Sequence, residues 1–137
     1  MLLKHHIKQS AVIPFRRRDG QLEVLLITSS NNKRWVIPKG VKEPELSPRK
    51  SAAREALEEA GIEGPVSGES IGTYAYEKGG GVCRVQVFAM AVDVMHKQWL
   101  ESHRQRCWLR LREVVRRVDE KDLKRLLRAL PEFVTTI

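Results

Sequence analysis

The 137-residue chain is 42% apolar and 31% charged, a balance that suits one folded domain with its own core and excludes a disordered tail. No apolar run approaches the ~20 residues of a membrane span, and residues 1–6 hold neither a signal-type apolar stretch nor a small-residue cleavage site, so a cytoplasmic location and no membrane partner are expected. The formal charge of +8 is unevenly spread: Lys and Arg outnumber Asp and Glu 9 to 4 in residues 1–47 and 11 to 6 in 96–137, but are outnumbered 5 to 7 in 48–95. An acidic middle between basic flanks suits either a cation site inside a rim that attracts polyanions or a solvated basic surface.

In chain order, Ser10-Ala11-Val12-Ile13-Pro14-Phe15 and Leu22-Glu23-Val24-Leu25-Leu26-Ile27 are short apolar runs rich in β-branched residues. The Asp19-Gly20 pair between them predicts a hairpin. Residues 29–32 form a loop by composition, and Trp35-Val36-Ile37 reads as a brief strand ended by Pro38 and Gly40. A helix is expected from Pro48 to Ala60, with Ser47 as its N-cap, Pro48 at the first helical position and Gly61 at its stop. Ala52, Ala53, Ala56, Leu57 and Ala60 give that helix a small-residue face able to press closely on a sheet. Residues 71–76 and 82–92 are expected strands joined across 77–81, and 107–109 a further short one. Helical spacing returns in 111–118 and 119–130, where Leu123, Leu126, Leu127 and Leu130 form a stripe for core packing. Strands on both sides of a central helix, with helix again at the end, indicate an α/β or α+β sandwich in a single domain over 1–137. Cys83 and Cys107 lie far apart without metal-type spacing and are expected as reduced thiols.

The chemistry concentrates in residues 40–62. On a helix, Glu55, Glu58 and Glu59 stand at i, i+3 and i+4 and share one face. Arg54, four residues before Glu58, offsets their repulsion in part, and a divalent cation would offset far more. Hard oxygen ligands at this density suit Mg²⁺ or Mn²⁺ rather than zinc. Magnesium takes one or two carboxylates and leaves positions for phosphate oxygens, which fits hydrolysis of a phosphoanhydride. A surface helix with ordinary Arg–Glu pairs is the alternative that the glutamates alone leave open.

The flanking glycines change that balance. Gly40, Arg54, Glu55, Ala56, Glu58, Glu59, Gly61 and Ile62 fall in register with the signature of the Nudix (MutT-like) hydrolase family, which runs Gly, five residues, Glu, seven residues, Arg-Glu-apolar-x-Glu-Glu-x-Gly-apolar. The preceding Trp35-Val36-Ile37-Pro38-Lys39 also resembles the family's entry to this loop. The resemblance implies an α/β/α sandwich with a mixed central sheet. It makes Glu55 and Glu59 the metal ligands, with the Lys39 main-chain carbonyl as a third, Glu58 the general base or water-orienting group and Arg54 the residue that holds the glutamates. Gly40 and Gly61 would set the loop geometry, and Glu77 or Glu101 are the reserve bases. One position departs: the signature's first glutamate is Leu46 here, which removes one partner of Arg54.

Within the family, Arg34 to Gly40, Glu43-Pro44-Glu45 and Arg104-Gln105-Arg106-Cys107-Trp108 are similar to the diphosphoinositol polyphosphate and dinucleoside polyphosphate phosphohydrolase branch. That similarity implies a small-molecule substrate crowded with negative charge. Lys8, Arg34, Lys39, Arg84, Arg104 and Arg106 are the expected phosphate contacts. Tyr74, Tyr76 and Trp35 are candidates for stacking on a base. A nucleoside triphosphate pyrophosphohydrolase and a non-cleaving polyanion- or RNA-binding module are the competing readings. The retained glutamates argue against the module, and nothing points to DNA.

Overall fold

A computed structural model describes residues 5–135 of the chain; residues 1–4, read above for a leader, lie outside them. Strand β1 (His6–Arg18) and strand β2 (Gln21–Thr28) form the expected hairpin, in register from Phe15↔Val24 to Arg18↔Gln21. Its two-residue turn holds Asp19 at φ 53° and Gly20 at φ 74°, the doubly left-handed conformation that Asp-Gly adopts at low cost. β3 (Trp35–Val36) pairs with β2. The chain does not leave the sheet at Pro38: Lys39–Val41 forms a short strand, β4, antiparallel to β1. Sequence reading ended the strand there because Pro38 and Gly40 interrupt the apolar run; pairing with the long β1 supplies the hydrogen bonds that local propensity does not.

Helix α1 occupies Pro48–Ala60, with the Ser47 side chain accepting from the Lys50 N–H and Gly61 closing it at φ 65°. Strands β6 (Gly72–Lys78) and β7 (Gly81–Ala91) make a second hairpin around Gly79 and Gly80, between the brief β5 (Ile62–Glu63) and β8 (Val94–Met95), which pair with each other. β9 (Arg106–Arg110) adds to β2; α2 (Leu111–Arg117) and α3 (Lys121–Thr135) follow. The sheet runs β3-β2-β1-β7-β6, with β4 also on β1 and β9 also on β2. β1 is antiparallel to β2 and parallel to β7, so the sheet is mixed.

Because side chains alternate across a strand, β1 feeds two cores. Ala11, Ile13 and Phe15 face the cluster built with Val114 of α2 and Leu123, Leu126, Leu127 and Leu130 of α3; Val12 faces the cluster built with Ala52, Ala56 and Ala60 of α1. One helix on one face and two on the other give the α/β/α sandwich. Ala52, Ala56 and Ala60 are fully buried and Ala53 half-buried, whereas Leu57, expected among them, is 39% exposed. α3 continues past Leu130 through Pro131 because Val134 extends the buried stripe by another turn, and that apolar contact outweighs the hydrogen bond proline removes. Among the described residues no helix is long and apolar enough to cross a membrane.

Candidate active site

The site forms where α1 lies against β4. In the β1–β4 pairing, Val12 N–H donates to Pro38 and Lys42 N–H to Lys8, so alternate residues of β4 are tied to β1. The Lys39 peptide group is thereby turned to the open edge, and its N–H donates to the Glu59 carboxylate, 3.3 Å away. Gly40 is held under Glu55: a Cβ there would sit 2.2 Å from Glu55 Cδ. Glycine is needed here for close approach of a carboxylate to backbone. Gly61 is needed for its left-handed φ, and its N–H closes α1 on the Ala56 and Leu57 carbonyls.

Glu55 and Glu59 are hydrogen-bonded to each other, and Glu59 is only 7% exposed. Burial first, then the neighbouring Glu55 carboxylate, push the Glu59 pKa up to about 8, against the lowering pull of Arg104 and the Lys39 N–H. Glu55 is raised too, chiefly by burial. Without a cation, then, the pair resists carrying two charges, and the upward push is strongest at Glu59. Glu58 does not join them. It turns outward and accepts from Arg54 Nε at 3.1 Å, and among the described residues no three His, Cys, Asp or Glu side chains converge to hold a metal. Two adjacent hard-oxygen ligands, Glu59 buried and Glu55 half-buried, nevertheless fit Mg²⁺, which binds through one or two carboxylates and keeps water in its remaining positions.

A segment far along the chain fixes the end of α1 that carries these groups. Trp99 Nε1 donates to the Glu59 carbonyl (3.0 Å), Glu101 N–H to the Glu58 carbonyl (3.0 Å), and Arg106 Nη1 to the carbonyls of Ala60 (3.1 Å) and His96 (2.9 Å). The Arg106 guanidinium also stacks 3.8 Å from the Trp99 ring centroid. Three of the carbonyls that a helix leaves unpaired at its C-terminus are satisfied in this way. Trp99 was not singled out in the sequence, where no local spacing links it to α1. Arg106→Ala is expected to cost about 1–3 kcal/mol of stability, to be measured by urea unfolding; an unchanged midpoint would remove this clamp from the account.

The expected phosphate contacts separate into groups. Arg104 is turned inward: it grips Glu101 through Nε (3.0 Å) and Nη2 (2.8 Å), donates to the Thr28 carbonyl (3.0 Å), and lies 3.9 Å from Glu59. Arg34 pairs with Asp119 at 3.3 Å and Glu120 at 3.6 Å. Lys39 Nζ lies 3.2 Å from the Tyr76 hydroxyl and 4.4 Å from its ring centroid, and Tyr76 in turn donates to Gln9 Oε1 at 2.8 Å. Burial lowers the Lys39 pKa. Lys8 and Arg84 share the face of Val12 and Phe88, opposite the one that carries Lys39 and Tyr76. Of the candidate aromatics, Tyr74 is buried at 5% exposure and Trp35 packs on the core, which leaves Tyr76 half-buried beside Lys39. The reserve bases also part: Glu101 is close enough to raise the Glu55 pKa, while Glu77 sits on β6 opposite Val82.

Residues 6–130 match the model of the NUDIX domain. The chain is 30% identical over 125 residues to Nudix hydrolase 13, mitochondrial, of Arabidopsis thaliana, covering 83% of this chain and 60% of that protein. It is 33% identical over 113 residues to diphosphoinositol polyphosphate phosphohydrolase 3-alpha of Mus musculus, covering 80% of this chain and 67% of that one. A C. elegans Ap4A hydrolase binary complex superposes with a TM-score of 0.73 at 23% identity, over 96% of this chain and 99% of that one.

Proposed function

Because the chain belongs to the NUDIX family, we propose that it hydrolyses a phosphoanhydride bond in a polyphosphorylated small molecule, of the dinucleoside polyphosphate or inositol pyrophosphate type, with Mg²⁺ or Mn²⁺. The observation that carries this reading is the convergence of the Glu55 and Glu59 carboxylates on the Lys39–Gly40 edge of β4, Glu55 lying over Gly40 and Glu59, buried, accepting from the Lys39 N–H. Glu55 and Glu59 would hold the ion, with the Lys39 carbonyl available on the same edge. When bound, the ion supplies charge neutralisation at phosphate and a lowered pKa for coordinated water. The protein's own groups do the rest. Glu58 accepts the proton released by the attacking water; Arg54, hydrogen-bonded to it, holds it on the exposed side of α1. Lys39, fixed over Tyr76, presents a compact positive charge to the phosphate chain, and the Tyr76 ring offers a face to a base. Arg104 keeps Glu59 from accumulating negative charge without compensation.

With Leu46 in place of the signature's first glutamate, Arg54 has Glu58 as its hydrogen-bonded partner. The test is phosphate release, with and without magnesium, from diadenosine polyphosphates, inositol pyrophosphates and nucleoside triphosphates. Magnesium-dependent release from a member of the first two classes is expected, with Glu58→Gln slower by about 100-fold and Glu101→Gln less affected. Binding of polyanions without release from any of them would make the chain a binding module.

A further inference from the structure

Two expected phosphate contacts that the active site does not use, Lys8 and Arg84, lie around a separate cavity. It has a volume of about 410 Å³ and is walled by Lys8 of β1, Lys42 of the β4–α1 loop and Arg84 of β7, with Gln86 beside them and Ser10 lining it as well. Strand register fixes the face. Lys8 pairs with Arg84 and Ser10 with Gln86, and these share the side of Val12 and Phe88, which pack on α1. Lys39 and Tyr76 are on the other side, with Ala11 and Val85.

Two observations say what this cavity takes. The Lys8 and Arg84 side chains have no hydrogen bond or ion pair with any described residue. Lys42 Nζ meets only the Glu43 carbonyl, at 3.0 Å, so three positive charges face one lining carboxylate, Asp122. Second, Ser10 is 1% exposed, and its Oγ is the one buried side-chain polar atom among the described residues without a hydrogen-bond partner. An orphan buried hydroxyl is costly unless something is there to accept from it. A phosphate oxygen meets that need, and arginine and lysine together neutralise its charge. The volume falls in the range of small-molecule sites.

We propose that this cavity is a second anion site, which takes a phosphate-bearing small molecule on the face of the sheet opposite Lys39 and Tyr76. The occupant is either a distant phosphate of the substrate itself or a separate phosphorylated ligand. Both are within reach of the catalytic centre, because Ser10 pairs with Gly40, the residue beneath the Glu55 carboxylate.

Titrating the ¹⁵N-labelled 137-residue chain with inorganic pyrophosphate tests this. Saturable amide shifts at Ser10, Arg84 and Gln86 are expected, with affinity at least tenfold weaker in the double variant Lys8→Ala, Arg84→Ala, whose spectrum reports whether the fold is kept. Shifts confined to Lys39, Gly40 and Glu59, or equal affinity in the double variant, would overturn the proposal. Kinetics then separates the two sources. A raised KM with unchanged kcat in the double variant identifies the substrate's own phosphate; a non-competitive effect of added pyrophosphate that the double variant abolishes identifies a separate ligand. The titration needs no turnover, so a failed hydrolysis assay with these shifts intact overturns only the reading of the active site.

Discussion

Glu59→Gln is expected to lower magnesium-dependent hydrolysis by at least about 100-fold while leaving the fold intact. The amide preserves the shape of the protonated acid and can still donate to Glu55 and accept from the Lys39 N–H, but it cannot give up a proton to become an anionic ligand. The same substitution should change how stability depends on pH. In the metal-free protein Glu59 has its pKa raised from 4.5 to about 8, so between those values the folded state binds more protons than the unfolded one. Its contribution is therefore complete below pH 4.5 and is lost as pH rises toward 8. The loss should be on the order of 5 kcal/mol across that window, at about 1.4 kcal/mol per pKa unit. Thermal unfolding in chelator should show wild type weakening from pH 5 to pH 8 and the glutamine variant nearly flat. Magnesium should restore wild type at pH 8, because Glu55 and Glu59 would hold the cation, whose charge would offset theirs in place of a proton's. A wild-type stability that rises over this range in chelator would mean that the pair holds no proton.

The second large effect should come from Gly40→Ala, with a rate about 100-fold lower. The added methyl would lie 2.2–2.5 Å from the Glu55 carboxylate atoms. Those atoms are the far end of a flexible side chain, so the cheapest response is for the carboxylate to swing away and the backbone to stay. Displacing a reacting or ligating group by an ångström costs about that factor. Gly40 is not among the positive-φ residues, so alanine is tolerated by the backbone, and melting temperature should hold or rise slightly through the stiffer unfolded chain. The rate and the melting temperature measured on one preparation decide the matter. Full activity in this variant would show that Glu55 has no need of its place over Gly40.

Much of this was legible along the chain because it is written in local spacing. The Asp19-Gly20 hairpin, the Ser47–Pro48 start and Gly61 stop of α1, and the leucine stripe of α3 each depend on residues within a few positions of one another, where backbone preference and periodicity act directly. The glutamate, arginine and glycine spacing of residues 40–62 likewise pointed to the family before any contact was known. What it could not set was which glutamates meet. Glu55, Glu58 and Glu59 share a helix face by count, but β4 and Arg104 bury only Glu59 beside Glu55, while Glu58 remains with Arg54. Trp99 and Arg106 reach α1 across 40 and 46 residues of chain, and Lys8 is divided from Lys39 by the sheet itself. In β1 every residue from Ala11 to Phe15 is buried, so the strand shows no polar alternation to reveal its two faces. Local order is decided by short-range torsional and hydrogen-bond preference, whereas the face a side chain joins is decided by what the rest of the chain packs against it.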